Sequence, residues 1–155
     1  MKTIPWSDGF WTNDPANTVI AGDGLHVTAR EGSDAWRITS YGFIHNTEHA
    51  LLAPLDPESA VEVSFWLDFD AQFDQAGIFV RVDDETWTKT GVEWSDGEAS
   101  LGAVVTRGVS DWSLSPVPEW AGRLVTVRAS RSGDDLTVRF TSWTSSAADA
   151  SLHPE

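Results

Sequence analysis

The sequence predicts an all-β fold, a two-sheet antiparallel β-sandwich or jelly roll. Three observations carry that prediction. The 155 residues include nine Trp, seven Phe and twelve Gly, with short Val/Thr/Phe runs and no long block of helical periodicity. Within several runs the apolar residues fall at every second position, the signature of half-buried antiparallel strands. Short clusters of turn formers separate the runs, with no internal repeat. The length suffices for one domain with a real core. Residues 1–140 are expected to form it. Residues 141–155, small and polar, are expected to be a flexible tail, natural or truncated.

The elements follow in order. WSDGFWTNDPANT (6–18) is rich in turn formers and aromatics and reads as an N-terminal flap. TVIAGDGLHVTAR (18–30) holds two short strands around Gly22 and Gly24. DAWRITSYGFIHN (34–46) reads as a strand ending at Gly42, with Trp36 and Ile38 on one face and Arg37, Thr39 and Tyr41 on the other. VEVSFWLDF (61–69) alternates strictly, which puts Val61, Val63, Phe65, Leu67 and Phe69 on a core face. FDQAGIFVRVDDETWTKTGVEW (73–94) reads as a hairpin turned by Asp83, Asp84 and Glu85. SLGAVVTRG (100–108) is a strand whose inward face is ambiguous. VSDWSLSPVPEWAG (109–122) carries two prolines and reads as loop or edge strand. LVTVRAS and DLTVRF flank RSGD (131–134) as a second hairpin.

Charge excludes several partners. Ten Lys and Arg against 24 Asp and Glu give a net −14. That field repels nucleic acid and anionic membranes but not a neutral polar ligand. There is no Cys, hence no disulfide, thiolate metal site or cysteine nucleophile. The N-terminal residues lack the apolar core of a signal peptide, and no apolar run approaches the roughly 20 residues of a membrane span. The expected location is the cytoplasm. No phosphate-binding glycine loop or G-x-S-x-G elbow is present, so no cofactor is expected.

Three constellations remain. On the hairpin, Gln75, Arg81, Trp87, Lys89 and Glu93 share the face opposite the core set. An aromatic plane, an amide, cations and a carboxylate are the groups that sugar recognition uses. Gly77 and Gly91 would leave room for a ligand. The plain alternative is a solvated face with cross-strand charge pairs such as Arg81 with Glu93. Arg37 and Tyr41 form a second group, with His45 and His49 four residues apart. The local pattern is not helical, so a histidine hydrogen-bonded at a strand end or loop is expected there rather than a zinc site. Arg107, Asp111 and Trp112 lie at or after a strand end, where binding loops occur and where a Trp can also plug a sandwich edge. A glycosidase would need two acids about 5–5.5 Å apart on one face. No strand supplies an obvious pair.

The blocks DQAG (74–77), VRVD (80–83), WTKTGVE (87–93), VVTR (104–107) and SDWS (110–113) closely resemble the regulation-of-enolase (YesU-like) family of unknown function. The resemblance runs from about Trp6 to about Phe140. It implies a concanavalin A-like jelly roll, the fold of lectins and glucanases, without a settled activity. The shared blocks fall on Gln75, Arg81, Trp87, Lys89, Glu93, Arg107, Asp111 and Trp112, and Arg37, Tyr41 and His49 also match. The chain departs from the family at His45, where members carry Arg, and members continue with further strands past the second hairpin. The expectation is therefore a binding protein rather than an enzyme. A carbohydrate or similar polar small molecule would lie on the concave sheet face, with Trp87 stacking, Gln75, Arg81, Lys89 and Glu93 binding polar groups, and Arg37, Tyr41, Arg107 and Trp112 at the rim. The alternatives are a glycan-active hydrolase or lyase using Glu93 or Asp111, and a protein-interaction module that regulates a metabolic enzyme.

Overall fold

A computed structural model describes residues 2–143, with side chains through Thr141. Of the expected tail, 141–155, residues 144–155 lie outside the described residues. The chain divides into two compact units. One runs up to Pro54 and includes Thr106–Ser110; the other comprises Leu55–Val105 and the described chain from Asp111 onward.

The first unit is built from short antiparallel pairs. After a single 3₁₀ turn at Trp6–Asp8 come β1 (Phe10–Trp11), β2 (Asn17–Ala21), β3 (Gly24–Thr28), β4 (Ala35–Arg37), β5 (Ile44–Asn46) and β6 (Leu51–Leu52). β1 pairs with β6, β2 with β3 and β4 with β5. The two strands expected around Gly22 and Gly24 are β2 and β3. The single strand expected from 34 to Gly42 is instead the first arm and turn of a hairpin. The chain breaks extended geometry at Ile38 (φ 67°) and Ser40 (φ 65°). The Ile38 N–H donates to Phe43 O at 2.8 Å and the Gly42 N–H donates to Ile38 O at 2.6 Å, closing the turn. A β-branched residue at positive φ is a steric outlier, so pattern alone would not place a turn there.

The second unit is a two-sheet sandwich. Its strands are β7 (Ser59–Trp66), β8 (Gln75–Arg81), β9 (Thr86–Ser95), β10 (Glu98–Arg107), β11 (Val109–Pro116), β12 (Leu124–Ser132) and β13 (Asp135–Trp143), the β10–β11 turn being grouped with the first unit. One sheet has the order β11-β10-β9-β8 and the other β13-β12-β7. Between them lies one apolar cluster centred on Leu67, Ile78, Val92, Ala99, Val117, Val125, Val127 and Ala129. The alternating residues Val61, Val63, Phe65 and Phe69 pack against it, as period two requires. Burying each Val or Leu contributes about 1.5–3 kcal/mol, which fixes the register of every strand that supplies one.

One open reading is decided and one boundary differs from expectation. VSDWSLSP is a full strand, β11, at the sheet edge where Pro116 is tolerated. Thr141–Trp143 belong to β13 and not to the tail, because β12 is long enough to pair them with Leu124–Thr126. Asp96 (φ 53°) and Gly97 (φ 85°) make the two-residue turn between β9 and β10. Among the described residues no helix is long and apolar enough to cross a membrane.

Candidate functional site

The β8–β9 pairing decides what the hairpin face holds. Gln75 is paired with Glu93, Gly77 with Gly91, Phe79 with Lys89 and Arg81 with Trp87. Paired residues share a face, so the structure brings Gln75, Arg81, Trp87, Lys89 and Glu93 onto one side of the hairpin. The proposed Arg81–Glu93 pair does not form, because the register puts the two at opposite ends. Arg81 instead bonds Asp84 in the connecting turn. In that turn the Glu85 N–H donates to Asp83 Oδ1 at 2.8 Å. That backbone bond, aided by Thr86 and the Arg81 charge, holds the Asp83 carboxyl below the ordinary aspartate value.

This face is largely closed. Trp87 is 4% exposed and Glu93 is 7% exposed. Trp87 leans on Phe79 with ring centroids 5.3 Å apart and planes at 34°. Ser95 and, on β10, Ser100 are buried as well. Gln75 is exposed at the strand end, where its amide donates to Phe73 O at 3.3 Å. Lys89 is half-buried. On this side of β8 and β9, Glu93 is the one carboxylate, and the residue facing it is an amide, not a second acid. The glycine pair lets the two backbones approach closely. A Cβ on Gly77 would overlap the Thr90 carbonyl oxygen and come within 2.6 Å of Gly91 Cα. Asp111 and Trp112 lie exposed on β11.

The remaining sequence-selected residues belong to the first unit. Arg37 is buried and tied to backbone and hydroxyl groups. Its N–H donates to Ser110 Oγ at 2.9 Å and its Nε donates to Gly108 O at 2.9 Å. Ser110 Oγ in turn lies 2.8 Å from Thr106 Oγ1. Arg37 thus fastens β4 to the 106–110 turn. Arg107 is exposed beside Gly108, whose φ of 76° turns the chain.

Tyr41 is 55% exposed at the tip of the β4–β5 hairpin. It stacks on Phe43 (5.1 Å, 11°) and meets Trp36 edge-on (5.7 Å, 67°), and Phe43 meets His45 edge-on (4.5 Å, 68°). Trp36 anchors the row from below, its Nε1–H donating to Thr39 O at 3.0 Å.

Sequence reasoning missed a cleft of about 420 Å³ in the first unit, lined by Asn13, Asp14, Arg30, Glu31, Gly32, Ser33, Thr47 and His49. The Arg30 N–H donates to His49 Nε2 at 3.0 Å. Nδ1 therefore carries the proton and donates to Asn13 O at 3.0 Å. Arg30 Nε donates to Asp14 O at 3.0 Å, and Asn13 Nδ2 reaches Asn46 O and Glu48 O. His49 thus staples three segments through backbone groups, which leave no mark in a residue pattern. Among the described residues no cluster of three or more His, Cys, Asp or Glu is placed to hold a metal ion.

Two antiparallel sheets around an apolar layer, with an enclosed polar side on one of them, define an all-β sandwich protein. The chain belongs to the family described as a protein of unknown function, DUF1349, whose model matches residues 11–146. It is 38% identical over 114 residues to "Regulation of enolase protein 1" of Saccharomyces cerevisiae, covering 74% of this chain and 58% of the relative. It is 33% identical over 86 residues to an uncharacterised protein of Emericella nidulans, covering 53% of this chain and 42% of that one. The chain thus spans about half the length of these relatives. Its fold is similar to the crystal structure of a functionally unknown protein from Saccharomyces cerevisiae, with TM-score 0.68, 29% identity, and coverage of 92% of this chain and 83% of that one.

Proposed function

We propose that the chain is a non-catalytic binding module whose partner is a protein, a metabolic enzyme of the kind the yeast relative's name indicates. The observation that carries this reading is the tip of the β4–β5 hairpin. Ile38 (42% exposed), Tyr41 (55%), Phe43 (42%) and Ile44 (49%) present apolar surface there. The Tyr41–Phe43 stack holds two rings rigid before any partner arrives, so little side-chain entropy is lost on contact. Exposed aromatic anchors of this sort carry most of the energy of protein interfaces. The strained backbone at Ile38 supports a binding role, since such strain is retained where a surface is put to use. The same reading places the chain in the cytoplasm, with the enzyme it would regulate. The test is to assay purified enolase with and without the chain, then with Tyr41→Ser/Phe43→Ser. The wild type should change the enolase rate and the double variant should not. An unchanged rate in wild type overturns the regulatory reading.

A second reading has its own support. A carbohydrate or similar polar small molecule would use Trp87, Lys89 and Glu93 along β9, a polar-aromatic row set opposite the core. Polar groups kept at buried positions point to a polar function for that face. A hydrolase is less favoured, since Glu93 has an amide across from it where the reaction needs a second carboxylate. Thermal-shift screening of wild type and Trp87→Phe against neutral and acidic sugars tests this reading. A shift in wild type that the variant loses supports it, and no shift with any sugar removes it.

A further inference from the structure

The outward face of the three-stranded sheet has no role in the core and is not part of either site above. Val63 pairs with Val127, and Val127 with Phe140, all on the core side. The residues one place along therefore point away from the core. In one outward row Glu62 is paired with Arg128 and Arg128 with Arg139. Two arginines directly opposite each other on neighbouring strands repel. Glu62 Oε2 lies 3.6 Å from Arg128 Nη1 and offsets one of the two charges. Among the described residues Arg139 is in no ion pair. This juxtaposition occurs in a chain with 24 acidic residues, where a second compensating acid would be easy to supply.

The rest of the face has a different character. Trp66 is 60% exposed, a large flat ring presented to solvent. Between it and the arginine row lie Ser64 and Thr126, paired across the strands with hydroxyls 2.7 Å apart. Alternate residues on a strand are about 7 Å apart, so Trp66 and the arginine row are separated by about 14 Å. An aromatic plane, a hydroxyl pair and a doubled guanidinium thus follow one another along β7 and its neighbours.

We propose that this face binds an acidic oligosaccharide. A sugar ring lays its C–H face on Trp66, hydroxyls bond Ser64 and Thr126, and a carboxylate or sulfate on a neighbouring ring bridges Arg128 and Arg139. Charge complementarity selects the anion, since a bound acid relieves the repulsion within the arginine pair. The ring selects a saccharide over a bare anion, since an inorganic ion has nothing to stack. The inference does not rest on the protein-partner reading, and either can fail alone.

The experiment is calorimetric titration with trimannuronate, neutral mannotriose and inorganic sulfate as probes. Wild type, Trp66→Ala and Arg139→Gln are compared, with folding checked by circular dichroism. These side chains are exposed, so both variants are expected to fold. Trimannuronate should bind wild type, with affinity reduced about tenfold by either substitution. Mannotriose should bind at least about tenfold more weakly than trimannuronate. Without ligand, Arg139→Gln should melt at a higher temperature than wild type, because it removes the like-charge pair. No heat with trimannuronate overturns the proposal, as does a lower melting temperature for Arg139→Gln. Sulfate binding as tightly as trimannuronate, indifferent to Trp66→Ala, would reduce the face to an anion site and overturn the saccharide. Concentration-dependent dimerisation abolished by Trp66→Ala, without trisaccharide binding, would assign the face to a second copy of the chain.

Discussion

At the residue scale, the glycine pair and His49 show how backbone contacts dictate side-chain identity. Gly77 and Gly91 face each other across β8 and β9, and a Cβ on Gly91 would overlap the Ala76 carbonyl oxygen and lie 2.8 Å from Gly77 Cα. Gly91→Ala should destabilise the protein by about 1–3 kcal/mol, read as a lower urea midpoint. If these glycines only made room for a ligand, the midpoint would not move. His49 joins the Asn13 and Arg30 backbones through its two ring nitrogens. His49→Ala should cost about 1–2 kcal/mol and raise amide exchange at Arg30 above that of β12. Unchanged exchange at Arg30 would contradict the staple. A hydrogen-bonded histidine was legible in the chain, but its partners and the glycine contact were not, because a contact with a backbone group has no residue signature.

At the element scale, legibility followed one-sided burial. β7 and the β8–β9 hairpin alternate cleanly because their core faces are apolar, and sequence reasoning found them. β10 did not alternate, since Ala99 and Leu101 pack in the core while Ser100, Val104 and Thr106, at the intervening positions, are buried too. A strand buried on both sides loses the period-two signal. The β4–β5 hairpin was missed because its turn uses Ile38 at positive φ, a residue that never advertises a turn. The grouping of Gln75, Arg81, Trp87, Lys89 and Glu93 on one side was legible from alternation. The burial of Trp87 and Glu93 was not, because burial depends on what packs over a strand. The β8–β9 turn carries a pH prediction. Asp83 has a lowered folded value, so its contribution is present above the ordinary aspartate value and is lost as pH falls through the lower folded one. Carboxyl NMR should show Asp83 titrating below the ordinary aspartate value. Titration at or above that ordinary value would contradict the Glu85 N–H bond.

At the scale of the whole molecule, charge and exposed apolar surface set the partners. A net −14 disfavours the nucleic-acid backbone, and mixing the chain with duplex DNA should leave the DNA's gel mobility unchanged at physiological salt. A retarded band would overturn that exclusion. The long-range field instead favours a partner with a basic surface, steered at low salt and held by apolar contact. Under the proposed function, the exposed Tyr41–Phe43 stack makes that contact. The most direct measurement is a binding titration of purified enolase with wild type and with Tyr41→Ser/Phe43→Ser, monitored by calorimetry. Wild type should bind with micromolar affinity or better, and the double variant, still folded, should lose at least about tenfold. Equal affinities for the two chains, or no binding by wild type, would contradict the account.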